Sequence, residues 1–313
     1  MSEDGARSLA WGRRYLVCSP EHFTVAYEIN PYMHVEVRPD PERAMSEHQA
    51  LVSTLEEAGA QVERLCPVEG LPDLVFCANA GLVDCAAGGP KRFVPSRFRH
   101  PERQGESAHD TAWFAENGFE VAELPGDEPF EGAGDALPFQ ASGVATSPAH
   151  GPVMLAGYKM RSSISAHAAI SELLGAPVRS VELVDERYYH VDLVFCPLDG
   201  QHALVAPQGL DRYGCKVVEA LVPEPVWLEE DEAASFCANS VVVGRVVVMP
   251  ACSPRLGRLL EKAGFEVAVT PVGEFQKAGG GVRCLTLALD TPLSSHPAGD
   301  SGNHAQRYRT SRN

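Results

Sequence analysis

Apolar positions recur at helical spacing in five stretches of this chain, and each stretch leads into a brief apolar strand. Between Pro41 and Ala58 the set Met45, Leu51, Val52 and Leu55 follows one helix face, with Pro41 in the first turn and Gly59 as the stop. The strand Gln61 to Leu65 comes next. The same order returns as helix Asp110 to Asn117, Gly118 and strand Phe119 to Leu124. It returns again as helix Ser163 to Leu174, Gly175 and strand Val178 to Val184. A weaker copy runs from Tyr213 to Leu221 into Val226-Trp227-Leu228, and the last runs from Pro254 to Ala263 through Gly264 into Phe265 to Val269.

A second extended segment belongs to each copy, and several of these echo one another. Asp73-Leu74-Val75-Phe76-Cys77-Ala78-Asn79 resembles Asp192-Leu193-Val194-Phe195-Cys196 and Ser235-Phe236-Cys237-Ala238-Asn239. Glu131 to Leu137 and Gly281 to Leu289 fill the other two slots. Hairpin partners follow, as where Ser240 to Val243 turns at Gly244-Arg245 into Val246 to Met249, while Gly88-Gly89-Pro90-Lys91 reads as a hairpin loop and Arg97 to Glu106 as a longer polar one. A single unit of this kind cannot bury its apolar face, so such repeats pack around a common centre. The expected fold is α/β: a five-bladed, pseudo-symmetric propeller of ββαβ units over residues 12–290, with strand ends converging at the hub. A doubly wound sheet is the rival, but it lacks its long parallel strands and its glycine-rich dinucleotide fingerprint here. Residues 1–11 are expected to be flexible, and the polar tail 291–313 disordered.

Composition narrows the function. The chain has 313 residues, 44% hydrophobic and 22% charged, which is globular. A net charge of −16 opposes nucleic-acid binding, which needs a basic face. No apolar run approaches the length of a membrane span, and Met1-Ser2-Glu3-Asp4-Gly5 lacks a signal peptide's apolar core. The nine cysteines include no C-x-x-C pair, which argues against a disulfide framework or a zinc site and points to a reducing, cytoplasmic setting. Neither a metal nor a cofactor is expected: H-E-x-x-H, G-x-S-x-G and P-loop patterns are all missing.

Cys284 closes the run Gly279-Gly280-Gly281-Val282-Arg283, where the backbone can approach a ligand and the sulfur can face it. A thiol, an imidazole and a carboxylate are the parts of nucleophilic catalysis, and His190 and Glu131, with Asn79 and Asn239, stand at equivalent places in other units and are expected to converge with Cys284. Asp192 lies two residues beyond His190, on the same face if the segment is extended. Glu131 and Asp135 bracket Gly132-Ala133-Gly134; two carboxylates suit a cation and would repel a phosphate.

Taken together, these segments resemble the guanidine-modifying superfamily of arginine deiminases, dimethylargininases and amidinotransferases, the penteins. The likeness covers roughly residues 15–290 and is carried by Glu28-Ile29-Asn30-Pro31-Tyr32-Met33, Pro72 to Gly81, Ser96 to Glu106, Phe130 to Asp135, Tyr189-His190-Val191-Asp192 and Gly280 to Leu285. It is strongest toward the arginine dihydrolase domain. The resemblance implies a hydrolase of guanidinium C–N bonds in which Cys284 is the nucleophile, His190 the general acid and base, and Glu131 its partner. It implies that Asp192 grips a small cationic guanidino substrate, that Arg97 and Arg161 meet the substrate carboxylate, and that Asn30, Asn79 and Asp135 belong to the binding site. Two departures stand out. Neutral Asn79 replaces a second guanidinium-binding aspartate, and the Glu131–Asp135 motif is one residue longer than the usual form. Arginine hydrolysis to ornithine or citrulline is the leading expectation; dimethylarginine hydrolysis, amidino transfer and a silent binding module are the alternatives.

Overall fold

The computed structural model describes residues 9–141 and 152–294. It is a mixed α/β fold of small sheets. The first unit comprises β1 (Arg14–Cys18), α1 (Pro41–Glu57) and β2 (Gln61–Leu65). The second comprises β3 (Gly81–Asp84), β4 (Arg92–Pro95), α2 (Glu106–Glu116) and β5 (Glu120–Val121). The third has α3 (Gly132–Asp135), β6 (Ala136–Phe139), β7 (Val153–Tyr158), α4 (Ile164–Leu174) and β8 (Val178–Glu182). The fourth has β9 (Phe195–Pro197), β10 (His202–Val205), α5 (Arg212–Leu221) and β11 (Glu224–Trp227). The fifth contains α6 (Glu230–Ala234), β12 (Val241–Val243), β13 (Val246–Met249), α7 (Pro254–Lys262) and β14 (Glu266–Val269), after which come α8 (Gly273–Gln276) and β15 (Leu287–Ala288).

These strands form five three-stranded sheets of one design. In each, the middle strand pairs antiparallel on one side and parallel with the strand beyond the helix on the other, as β13 does with β12 and β14. The first sheet borrows its antiparallel strand from the far end of the chain: β15 pairs with β1 through Tyr15↔Ala288 and Leu16↔Leu287. A parallel pair needs a crossover connection, and the helix supplies it.

Local chemistry explains the elements. Asp40 caps α1 by accepting from Arg43 N, and Pro41 occupies the first turn. Gly175 ends α4 in the left-handed region at φ 62°, which a side chain would resist. Leu51 and Leu55 of α1 are fully buried, as are Leu256 and Leu260 of α7, and Phe93 of β4 stacks on Phe114 of α2 at 3.7 Å.

The structure corrects several expectations. The echoing segments are mostly tight turns and short helices rather than strands. Pro72–Val75, Cys77–Asn79 and Val191–Leu193 are 3-10 turns, and Gly132–Asp135 is a short helix. Their buried amides are satisfied locally, for example Asn79 N to Phe76 O (3.0 Å), Leu193 N to His190 O (3.2 Å) and Asn239 N to Phe236 O (2.9 Å). Cys284 lies in a turn before β15, not inside a strand. The helix expected from Asp110 starts at Glu106, so the polar loop ends sooner. The tail expected from 291 is anchored through Ser294: Leu293 N and Ser294 N both donate to Asp84 Oδ1. Residues 1–8 and 295–313 of the two terminal expectations lie outside the described residues.

Candidate active site

The turns that precede the strands carry the polar residues, and they meet around Cys284. The glycine run brings them close. At Gly279, with φ +83°, a Cβ would stand 2.6 Å from the Tyr189 hydroxyl, and at Gly281 it would stand 2.6 Å from Asn239 Oδ1. The Cys284 side is completed by Ala78 N, which donates to Cys284 O at 3.1 Å. Cys284 Sγ donates to Asp192 Oδ2 at 3.4 Å and receives Asn239 Nδ2 at 3.1 Å.

A second cluster is built on Glu131, which is fully buried. Its Oε2 lies 2.8 Å from His190 Nε2 and 3.4 Å from an Arg161 guanidinium nitrogen, while its Oε1 accepts from Arg99 N at 3.1 Å. Burial alone would raise this carboxyl; the bond from His190 and the charges of Arg161 and Arg103 outweigh it and hold Glu131 well below the carboxylate range. Beside it, burial pushes Asp135 up to about 6 even though Ser162 Oγ donates to it at 2.5 Å and Val191 N at 3.2 Å. The His190 and Tyr189 rings pack at 4.9 Å. Gly134 is required here: a Cβ would stand 2.3 Å from Asn79 Nδ2 and 3.4 Å from the His190 ring.

An inner cavity of about 260 Å³ joins the two clusters, lined by Cys284, Asn79, Asp73, Arg103, Arg161 and Tyr189 among others. It shares Ile29, Asn30, Arg161 and Tyr189 with an open outer cleft of about 920 Å³ that adds Glu28, His100 and Glu186. A further cavity is lined by Trp11, Tyr15 and Arg283 among others, with no carboxylate.

Asp192 stands beside Cys284, which lines the inner cavity. Asp192 is fully buried, its Oδ1 has no hydrogen-bond partner among the described residues, and burial pushes it up to about 7. Burial and the nearby Asp192 charge together push the Cys284 thiol well above its ordinary value. A planar cation in the cavity would satisfy the orphaned oxygen and favour both ionised forms at once. Among the described residues, no group of three or more His, Cys, Asp or Glu is placed to hold a metal ion.

Most of the residues expected from the sequence are brought together here. Asn30 is pinned at the cavity mouth, Nδ2 donating to Ala278 O and Oδ1 accepting from Tyr32 N. Asn79 has both ends of its amide engaged: Arg103 donates to Oδ1 at 2.9 Å, and Nδ2 faces Glu131 O at 3.4 Å. Arg161 stands between cavity and cleft, over the Tyr189 ring and bonded to Ile29 O. Asp192 and His190 do not share a strand face as expected, because the 3-10 turn sends one to Cys284 and the other to Glu131. Arg97 is the residue that stays away. Its bridge to Phe130 lays it along that stretch, and its guanidinium donates to Leu124 O and Glu128 O. Two residues had no part in the sequence expectation: Arg103, with its bidentate partner Glu106, and Asp73; Asn239, expected to converge with the others, stands beside Cys284. The repeated Phe-Cys-Ala-Asn was the available signal for Asn239.

The family model described as N,N dimethylarginine dimethylhydrolase, eukaryotic, matches residues 20–290. The chain belongs to this family. One relative is the bifunctional arginine dihydrolase/ornithine cyclodeaminase ArgZ of Synechocystis sp., 43% identical over 283 residues, a match that takes in 90% of this chain and 38% of that protein. This chain therefore spans well under half the length of that relative. The N(G),N(G)-dimethylarginine dimethylaminohydrolase of Mycobacterium tuberculosis is 35% identical over 286 residues, covering 91% of this chain and 88% of that one. The solved N-terminal domain of ArgZ, a cysteine-to-serine variant bound to substrate and described as an arginine dihydrolase, matches with a TM-score of 0.81 at 43% identity, covering 89% of this chain and 98% of that chain. Membership of the family agrees with the guanidine-modifying resemblance carried by the motifs.

Proposed function

We propose that this protein hydrolyses the guanidinium group of arginine through Cys284. The observation that carries the reading is the buried pair Asp192–Cys284, whose sulfur lines the inner cavity and whose carboxylate keeps one unpartnered oxygen beside it. The guanidinium enters that cavity and donates to Asp192. Its positive charge lowers the cost of the thiolate, and the sulfur attacks the guanidinium carbon. His190, held by Glu131, protonates the departing nitrogen, so the C–N bond breaks, ammonia leaves and a thiouronium adduct remains. Water, giving a proton to His190, then adds to that carbon, the C–S bond breaks, and the ureido product forms with the thiol restored. Repetition on the ureido group yields ornithine, carbon dioxide and a second ammonia. Arg161 and Arg103 are the cations nearest the substrate's carboxylate in this reading, with Asn30 and Asn79 in the walls and Asp135 behind them, held by Ser162 and Val191 N.

Similarity to ArgZ supports arginine as substrate; dimethylarginine is the second reading, favoured by the family description and the mycobacterial relative. We also propose that the five sheets stand around one axis, which the shared strand order and the β15–β1 pairing support. Incubation with arginine and with dimethylarginine, followed by identification of ornithine, citrulline and released amine, tests the substrate. The Cys284→Ser protein is expected to lose turnover and adduct formation. Retained turnover would end the assignment.

A further inference from the structure

Cys284 is gripped by Asn239, which is fully buried. Asn239 Nδ2 donates to Cys284 Sγ at 3.1 Å and to Asp192 O at 3.2 Å, while Asn239 Oδ1 accepts from Cys284 N at 3.1 Å. Its main-chain carbonyl accepts from Arg283 N at 3.2 Å. The orientation of the amide is dictated by these neighbours. A peptide carbonyl can only accept and a peptide N–H can only donate, so a flipped amide would set like against like on both sides. An N–H of Asn239 therefore points at the sulfur.

Such a donor does more for a sulfur anion than for a thiol, because a hydrogen bond to an ionised acceptor is markedly stronger. The Gly281 main chain also favours the thiolate, but the other side chains around the sulfur do not fill this role. Asp192 Oδ2 is an acceptor, the Tyr189 hydroxyl is spent on Gly279 O, and Arg283 is turned to Ser240 O and Cys196. Arg161, which lines the same cavity, is engaged with Glu131 and Ile29 O. We propose that Asn239 stabilises the Cys284 thiolate through its amide N–H and, through Oδ1 and its own carbonyl, fixes where that sulfur stands. This rests on Cys284 being the nucleophile.

A second observation supports the assignment. Phe236-Cys237-Ala238-Asn239 repeats Phe76-Cys77-Ala78-Asn79, each lying just ahead of the first strand of its sheet, β12 and β3. In both copies the asparagine N–H donates to the phenylalanine carbonyl three residues back, at 2.9 and 3.0 Å. One local structure is thus used twice. The first copy presents its amide to Glu131, on the His190 side, and the second to Cys284.

Alkylation of Cys284 by iodoacetamide, followed across pH by peptide mass spectrometry, tests the proposal in the full chain. In Asn239→Asp, one oxygen still accepts from Cys284 N, but an anionic acceptor replaces the donor facing sulfur. The alkylation midpoint is expected to move alkaline by about one unit or more, with a rate at pH 7 about ten- to a hundredfold lower. Turnover is expected to fall with it while KM changes little. A midpoint that matches the wild type overturns the proposal, and because the new carboxylate itself disfavours the thiolate, the uncharged Asn239→Ala must shift it alkaline as well for the donor to stand. If the aspartate variant does not fold, Asn239→Ser and Asn239→Ala ask the same question, one keeping a hydroxyl donor and the other none. Faster alkylation in the serine protein upholds the donor, and equal rates overturn it. The two readings fail separately: residual turnover in Cys284→Ser removes the nucleophile, whereas an unshifted midpoint removes the donor and leaves Cys284 essential.

Discussion

Binding of arginine should expel a proton from Asp192, and its size follows from the site. Beside Cys284, Asp192 is fully buried with one oxygen unpartnered among the described residues, and burial pushes its ionisation up to about 7. A guanidinium donates hydrogen bonds and accepts none, so it requires the ionised carboxylate. At pH 6 about nine-tenths of the protein carries the proton, and at pH 8 about one-tenth. Affinity at pH 6 is therefore expected to be about tenfold weaker than at pH 8, a difference of about 1.4 kcal/mol. Calorimetry on the Cys284→Ser protein, which keeps a hydroxyl donor to Asp192 while blocking turnover, provides the assay. Titrations at pH 6 in buffers of different ionisation enthalpy should report release of about nine-tenths of a proton per arginine. At pH 8 the release should nearly vanish. Equal affinity at both pH values, with no proton released at pH 6, would refute the assignment of Asp192 as the guanidinium's acceptor.

Three further outcomes are expected. Gly134→Ala drives a methyl to 2.3 Å from Asn79 Nδ2 and onto the His190 ring, so it should cost about 1–3 kcal/mol in urea unfolding and reduce kcat; normal stability and kcat would contradict that geometry. Glu131→Gln leaves the buried Arg161 cation without its carboxylate and releases His190, so activity should collapse and unfolding free energy fall by about 3–5 kcal/mol, read from activity and denaturant curves. His167, held neutral between Ser180 Oγ and Gly157 O, is pushed down to about 4 by burial, so its contribution is whole above about pH 6.5 and lost as pH falls through 4. Relative to His167→Gln, the wild type should lose about 1.4 kcal/mol per pH unit in that window, and parallel urea midpoints would argue against it.

The helices were legible because burial and period coincide: Leu51 and Leu55, or Leu256 and Leu260, repeat at the spacing that one face of a helix demands. The hairpin at Gly244 was legible because the turn needs a positive φ and the flanking residues are apolar. Cys284 could be singled out because three glycines before it signalled close approach. The segments entering the sheets were misread as strands, since a short apolar run looks alike whether its amides bond across a sheet or three residues back. The polar network was the least legible. Arg97 and Arg103 sit in the same polar stretch, yet one caps backbone carbonyls and the other is buried against Glu106 and Asn79. That choice depends on the Arg97–Phe130 bridge, a contact between distant residues that leaves no spacing signature in the chain.

The pairing of β15 with β1 has a consequence for how the fold comes into being. A ribosome releases β1 among the earliest segments, yet its antiparallel neighbour emerges after α1 to α8, three residues beyond the cysteine. Contacts between residues so remote in sequence form slowly and late. The turn that carries Cys284 is thus tied to the first sheet only after nearly the whole chain has emerged, and a chain cut short before β15 lacks that tie.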